Sequence, residues 1–274
     1  MKTFKTSDGL NLAYHDEGTG LPVLCLPGLT RNSKDFDFVA PHMKHVRLIR
    51  LDYRGRGESD YDPNWKNYSV PIEARDVVEL LDHLGLEKAA LIGTSRGGMI
   101  SMVLGKMAKD RLLGVLFNDI GPVLEQSGLD LIAEYIGHKP PYKTLAEAAA
   151  DRPNVMENFA NVSPERWLEE VTAQFVETAD GLELRYDPKL REGVVATLGA
   201  DAPQLWPYFD ALQGLPLALV RGENSNLLTA QAAADMQERR PDMIFGQVPD
   251  RGHIPFLDEA ESLSVIHEWL EKMA

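Results

Sequence analysis

Over roughly the first 120 residues, apolar positions alternate between a strand period and a helix period. Residues 12–16, 22–26 and 46–51 read as strands, and 89–92 and 113–117 are short apolar runs of the kind found in sheets buried on both faces. Between them, residues 72–84 place Val77, Leu80, Leu81 and Leu84 on one helical face, with Pro71 near the start and Gly85 just past the end. Met99, Ile100, Val103, Leu104 and Met107 repeat the helical spacing. Strand, helix and strand in this rhythm predict a mostly parallel, doubly wound α/β sheet with helices on both faces.

From 123 to 204 the pattern changes, and no strand is predicted there. Leu129, Ile132, Ala133 and Ile136 form one stripe, and Thr144 with Glu147 reads as a capping box opening an alanine-rich helix. Ser163-Pro164 opens another helix, with Trp167, Val171 and Phe175 along one face. The expected organisation is a sheet core of residues 1–122 and 205–274 with an inserted helical cap, 123–204. Alternation resumes with a strand at 217–220, a helix at 229–239 and a strand at 243–248. Leu263, Ile266 and Leu270 then mark a terminal helix.

Composition narrows the partners more than the fold. The 274 residues are 44% hydrophobic and 26% charged, enough for a sizeable core. A net charge of −14, from 28 basic and 42 acidic residues, argues against nucleic acid or an anionic membrane as partner. The lone Cys25 excludes an internal disulfide, fits a reducing compartment, and lies in the apolar run Val23-Leu24-Cys25-Leu26 as an expected inert thiol. Met1 is followed by polar residues with no apolar signal segment, and no run of about 18 apolar residues occurs, so a cytoplasmic location is expected.

Candidate chemistry centres on Ala89-Ala90-Leu91-Ile92-Gly93-Thr94-Ser95-Arg96-Gly97-Gly98-Met99. An apolar strand, G-x-S-x-G and an amphipathic helix follow one another, as a nucleophile elbow requires. The pentapeptide alone is weak; its flanks strengthen it. A serine needs a base, and seven histidines are available. His15, His83 and His267 sit in or near regular elements, His42 and His45 flank a helix end, and His138 lies in the cap. His253 differs, because it follows the last strand in Val248-Pro249-Asp250-Arg251-Gly252-His253-Ile254-Pro255. Parallel strands converge at their carboxyl ends, which brings that loop to the same crevice as Ser95. His42-x-x-His45 lacks further ligands for a metal. Leu26-Pro27-Gly28-Leu29-Thr30 follows a strand at the same edge, so the Leu29 amide can pair with that of Arg96 as an oxyanion hole. Asp52-Tyr53-Arg54-Gly55-Arg56-Gly57-Glu58-Ser59 lacks phosphate-loop spacing and reads as a loop bracing the site.

Together these segments resemble the α/β-hydrolase family over nearly the whole chain. Leu26-Pro27-Gly28 is similar to its oxyanion loop, residues 52–59 to its D-x-R-G-x-G-x-S signature, Gly93–Gly97 to its elbow and Gly252-His253 to its histidine loop. A serine at the elbow separates the chain from the family's dehalogenases and epoxide hydrolases, which place an aspartate there. The resemblance also implies a triad acid after the strand that follows the cap, and at that position stands Asn226. Asparagine can orient an imidazole but brings no charge.

Three readings stay open. Asp119, in Phe117-Asn118-Asp119-Ile120, supplies the acid as in some related hydrolases; or the chain is a weakened form of an enzyme with aspartate at 226; or it is a natural low-activity or binding homologue. Asp119 could also simply cap the turn at Gly121-Pro122, and Glu223 is a weaker candidate. The expected substrate is a small, largely apolar carboxylic ester or lactone, with no cofactor implied. C–C bond hydrolysis and ligand binding with slow turnover are the alternatives. Trp167, Phe175 and Trp206 are the candidate substrate-binding aromatics, with Tyr142 and Phe209 also available, although most lie at helical spacing and each reads first as cap core. Arg96 and Arg31 could attract a substrate carboxylate, and each reads first as a structural or surface charge.

Overall fold

The computed structural model describes residues 1–198 and 205–273, without the side chains of 197 and 198. The expected cap boundary at 204 therefore lies outside the described residues. The strands are β1 (Lys2–Lys5), β2 (Asn11–Glu17), β3 (Pro22–Leu26), β4 (Arg47–Leu51), β5 (Ala89–Thr94), β6 (Leu112–Asn118), β7 (Phe175–Thr178), β8 (Gly181–Leu184), β9 (Leu217–Gly222) and β10 (Ile244–Val248). Eight of them form one sheet in the order β1-β2-β4-β3-β5-β6-β9-β10. The β1–β2 and β2–β4 pairings are antiparallel and the rest are parallel. Strands β5 and β9 are buried at every residue, which explains their near-continuous apolar sequence.

The helices α1 (Val70–His83), α2 (Arg96–Met107), α8 (Ala230–Arg239) and α9 (Ala260–Glu271) pack on the sheet. One face buries Leu24, Leu91, Phe117 and Leu219 beneath α1, α2 and α8. The other buries Val23, Ile92, Leu116 and Val220 against α9, whose Trp269 is fully buried and donates to the Pro216 carbonyl at 3.1 Å. No helix among the described residues is long and apolar enough to cross a membrane.

Between β6 and β9 lie α3 (Gln126–Tyr135), α4 (Leu145–Val155), α5 (Pro164–Gln174), α6 (Leu190–Leu198) and the short α7 (Trp206–Asp210). The capping box forms at the start of α4, where the Thr144 side chain and Glu147 satisfy each other's backbone amides. Ser163 caps α5 by accepting from the Arg166 amide.

Two departures from the sequence reading stand out. Strand β1 carries one buried residue, Phe4, in KTFK, too little apolar signal to register beside its polar neighbours. The region expected to be wholly helical contains the antiparallel hairpin β7–β8, in which the aromatic and aliphatic residues after α5 leave the helical period at the Phe175 cap.

Candidate active site

Strand β5 delivers Ser95 to the carboxyl edge of the sheet, and α2 starts at the next residue. Ser95 adopts φ 50°, ψ −112°, a conformation that side chains rarely occupy. Close packing enforces it. A Cβ on Gly93 would meet the Gly97 carbonyl at 2.7 Å, and one on Gly97 would lie 2.1 Å from the Leu26 oxygen. The two glycines of the motif let the turn press against the end of β3. The Ser95 amide donates to the Asn118 carbonyl at 3.1 Å, so the ends of β5 and β6 are tied together.

His253 reaches this edge from the loop after β10. Its Nε2 lies 3.0 Å from Ser95 Oγ, and its Nδ1 lies 2.7 Å from Asp119 Oδ2. A carboxylate can only accept, so it assigns the proton to Nδ1 and leaves Nε2 as acceptor for the serine hydroxyl. Asp119 follows β6 directly, is fully buried and has φ 54°. Its carboxylate does not cap its own turn. Oδ1 accepts from the Gly222 amide at 2.8 Å, and Oδ2 accepts from Ser225 Oγ at 2.6 Å as well as facing the imidazole. Ser225 Oγ in turn accepts from the Leu227 and Leu228 amides. The loop after β9 thus contributes a hydroxyl and an amide to a carboxylate brought by β6. Asn226 lines the adjoining cavity and makes no hydrogen bond to His253 among the described residues. Sequence reasoning did not single out Gly222 or Ser225; their only signal was proximity to position 226.

The loop expected to form the oxyanion hole also meets the serine. A Cβ on Gly28 would approach Ser95 Cβ to 3.9 Å. The Leu29 amide donates to no acceptor among the described residues, and that of Arg96 opens α2, where no helical acceptor exists. The 52–59 loop braces this arrangement. Arg56 Nε donates to the Leu29 carbonyl at 2.9 Å, and Asp52 accepts from the Ser33 and Glu58 amides.

Beneath the loop, fully buried Glu73 accepts from Arg56 Nη1 at 2.7 Å and from Arg96 Nε at 2.5 Å. The Arg96 side chain is therefore structural. Burial opposes the charged form of Glu73, but Arg56 and Arg96 outweigh it and hold the carboxyl below its usual range. Replacing Glu73 by Gln leaves both guanidiniums without their counter-charge, and denaturant unfolding is expected to show a loss of about 3–5 kcal/mol at neutral pH. Because the folded pKa is depressed, the charge-dependent part of that gap exists above the unfolded value and is lost as pH falls through the folded one. A gap under 1 kcal/mol (about the worth of an exposed pair) would remove the bracing role.

A cavity of about 810 Å³ opens over Ser95 and His253, beneath α3, α4 and α5. Phe175 and Tyr142 line it. Trp167 does not, which corrects its expected substrate-binding role. It is buried among Phe159 and Phe256, with ring centroids 5.7 and 6.1 Å away. Trp206 is corrected likewise, since it packs on Phe209 and beneath the Arg239 guanidinium, away from the cavity. Phe209 is fully buried against Phe117. Of the other histidines, His138 alone lines the cavity, while His83 bonds the Tyr14 hydroxyl and His45 packs on His267. Burial pushes the Cys25 thiol up to about 12, so it stays protonated.

The sheet order, the serine on its strained turn and the histidine loop after the last strand define an α/β hydrolase. The chain belongs to that family, whose alpha/beta hydrolase fold matches residues 22–260. It is 36% identical over 263 residues to the 3-hydroxybutyrate-oligomer hydrolase of Cupriavidus necator, covering 91% of this chain and 89% of that protein. The 2-(acetamidomethylene)succinate hydrolase of Mesorhizobium japonicum is 25% identical, with 89% and 85% covered. Among solved structures, an α/β hydrolase from Novosphingobium aromaticivorans superposes with a TM-score of 0.92 at 34% identity, covering 99% of this chain and 97% of that one.

Proposed function

We propose that the protein hydrolyses a small carboxylic ester or lactone through an acyl-enzyme on Ser95. The observation that carries this reading is the continuous chain from Ser95 Oγ through His253 to Asp119, at 3.0 and 2.7 Å. Ser95 Oγ attacks the carbonyl carbon as His253 Nε2 takes its proton, and the buried Asp119 carboxylate stabilises the imidazolium. The carbonyl oxygen becomes an oxyanion between the Leu29 and Arg96 amides. His253 returns the proton to the alcohol oxygen as the C–O bond breaks. Water then repeats the attack, with His253 as base, and releases the acid and Ser95.

The similarity to a 3-hydroxybutyrate-oligomer hydrolase supports an ester, because hydroxy acids oligomerise through carboxylic ester bonds. Asn226 is no obstacle, since Nδ1 of His253 already faces a carboxylate. The same reading supports treating the helices between β6 and β9 as a cap that shapes the acyl and alcohol pockets.

A fluorophosphonate probe is expected to label the protein once, on the peptide carrying Ser95, and to block release of p-nitrophenol from p-nitrophenyl acetate in proportion. Turnover that survives full labelling, or a label on another residue, would refute the proposal.

A further inference from the structure

The geometry points to a carboxylate-binding subsite formed by Arg31 and Arg152 in the wall of the reaction cavity. Resting on the ester-hydrolase reading above, it makes the substrate an ester that carries a free carboxylate. Two such classes are the acid end of a hydroxy-acid dimer and the monoester of a short dicarboxylic acid.

Both arginines line the cavity that contains Ser95. Arg31 comes from the loop after β3 and Arg152 from α4, and they meet at Glu170 of α5. Arg31 Nε donates to Asp35 Oδ2 at 2.7 Å, and its Nη1 donates to Glu170 Oε1 at 3.0 Å. Arg152 Nη2 donates to Gln174 Oε1 at 2.8 Å, while its Nε lies 3.0 Å from Glu170 Oε2. One buried carboxylate thus sits against both guanidinium forks, hydrogen-bonded to Arg31 and ion-paired with Arg152, whose Nη2 is held by Gln174. Each fork keeps a terminal nitrogen, Arg31 Nη2 and Arg152 Nη1, with no acceptor among the described residues. Fixed planar donors of this kind match a carboxylate, and less ordering remains to be done on binding.

Asp35 and Glu170 balance the two cations, so donor geometry rather than net charge makes the subsite. The cluster is not well explained as a stabilising device. Arg152 Nε and Glu170 Oε2 are buried, yet their alignment leaves both without a hydrogen bond. Apolar residues of similar volume in place of a buried ionic cluster are often neutral or stabilising. The other charged residues lining the cavity, Glu134, His138, Lys139 and Glu157, are exposed, where water and salt screen them.

The Arg31 side chain leaves the backbone beside the nucleophile. A Cβ on Gly28 would touch Arg31 Cγ at 3.1 Å on one side and Ser95 Cβ at 3.9 Å on the other. A substrate carboxylate held on this wall and its scissile ester would occupy the one cavity.

Two measurements test this independently of one another. In the first, glutarate is titrated calorimetrically into the whole protein, where saturable binding is expected. It is lost in Arg152→Gln and partly kept in Arg152→Lys, which retains charge without the fork. Absence of glutarate binding to the folded wild type overturns the subsite, whatever the protein hydrolyses. In the second, kcat/KM for a 3-hydroxybutyrate dimer is compared with that for its methyl ester. The free acid is expected to be favoured by about tenfold or more, mainly through KM, with the ratio falling toward one in Arg152→Gln. Equal rates on acid and methyl ester overturn the subsite and leave the hydrolase standing. Glutarate binding without labelling of Ser95 would do the reverse.

Discussion

Ser95→Ala is expected to lower kcat for an activated ester by about 10⁶-fold, the scale on which a triad serine acts when its base and acid remain in place. The substitution removes one oxygen from a turn whose geometry is held elsewhere. Gly93 and Gly97 pack backbone to backbone, and the Ser95 amide stays on the Asn118 carbonyl. Alanine also relieves nothing at φ 50°, so the fold should survive and thermal unfolding should move little. The residual rate is informative, because the proposed oxyanion donors at Leu29 and Arg96 remain, and sites that keep such donors retain about 10³–10⁴ over water. Steady-state kinetics on p-nitrophenyl acetate, with circular dichroism as the folding control, would check it. A loss below about a hundredfold would mean that another group carries the attack.

Much of this site could be read from the chain, because its motifs sit where backbone packing leaves little choice. Gly97 cannot bear a Cβ against the Leu26 carbonyl, and Arg56 must meet both the Leu29 carbonyl and Glu73. Such constraints write themselves into short, ordered sequences. What the chain did not reveal depends on side chains meeting across long separations. Phe175 and Trp167 fall on one helical stripe in the sequence, yet Phe175 opens β7 and lines the cavity while Trp167 stays on α5, buried beside Phe256. Periodicity reports a face and says nothing of what covers it. The Arg31–Glu170–Arg152 cluster joins three segments with no common motif. Ser225, in a polar loop, reads locally as an ordinary turn residue. Its hydrogen bond to Asp119 exists only because β6 and β9 are neighbours in the sheet. The same adjacency bears on the proposed acid, because Asp119 after β6 and the loop after β9 meet beside His253.

That adjacency makes Asp119→Asn the most discriminating substitution, with an expected loss of about 10⁴ in kcat and little change in KM. An amide at 119 can still accept from Gly222 through its oxygen, but its NH₂ group then faces Nδ1. The imidazole would be driven toward the tautomer whose Nε2 carries the proton and cannot accept from Ser95. The charge that stabilises the imidazolium is lost at the same time. Asn226→Asp alone should not raise kcat, because Nδ1 is already engaged by a carboxylate at 2.7 Å. The two substitutions combined form a double-mutant cycle across one ring. If Asp119 is the acid, nearly the whole loss follows position 119. A rise of tenfold or more from Asn226→Asp, or an Asp119→Asn variant that keeps its rate, would transfer the acid's role to the loop after β9. Asp119 would then be left as the residue that merely ties that loop to β6 through Gly222 and Ser225.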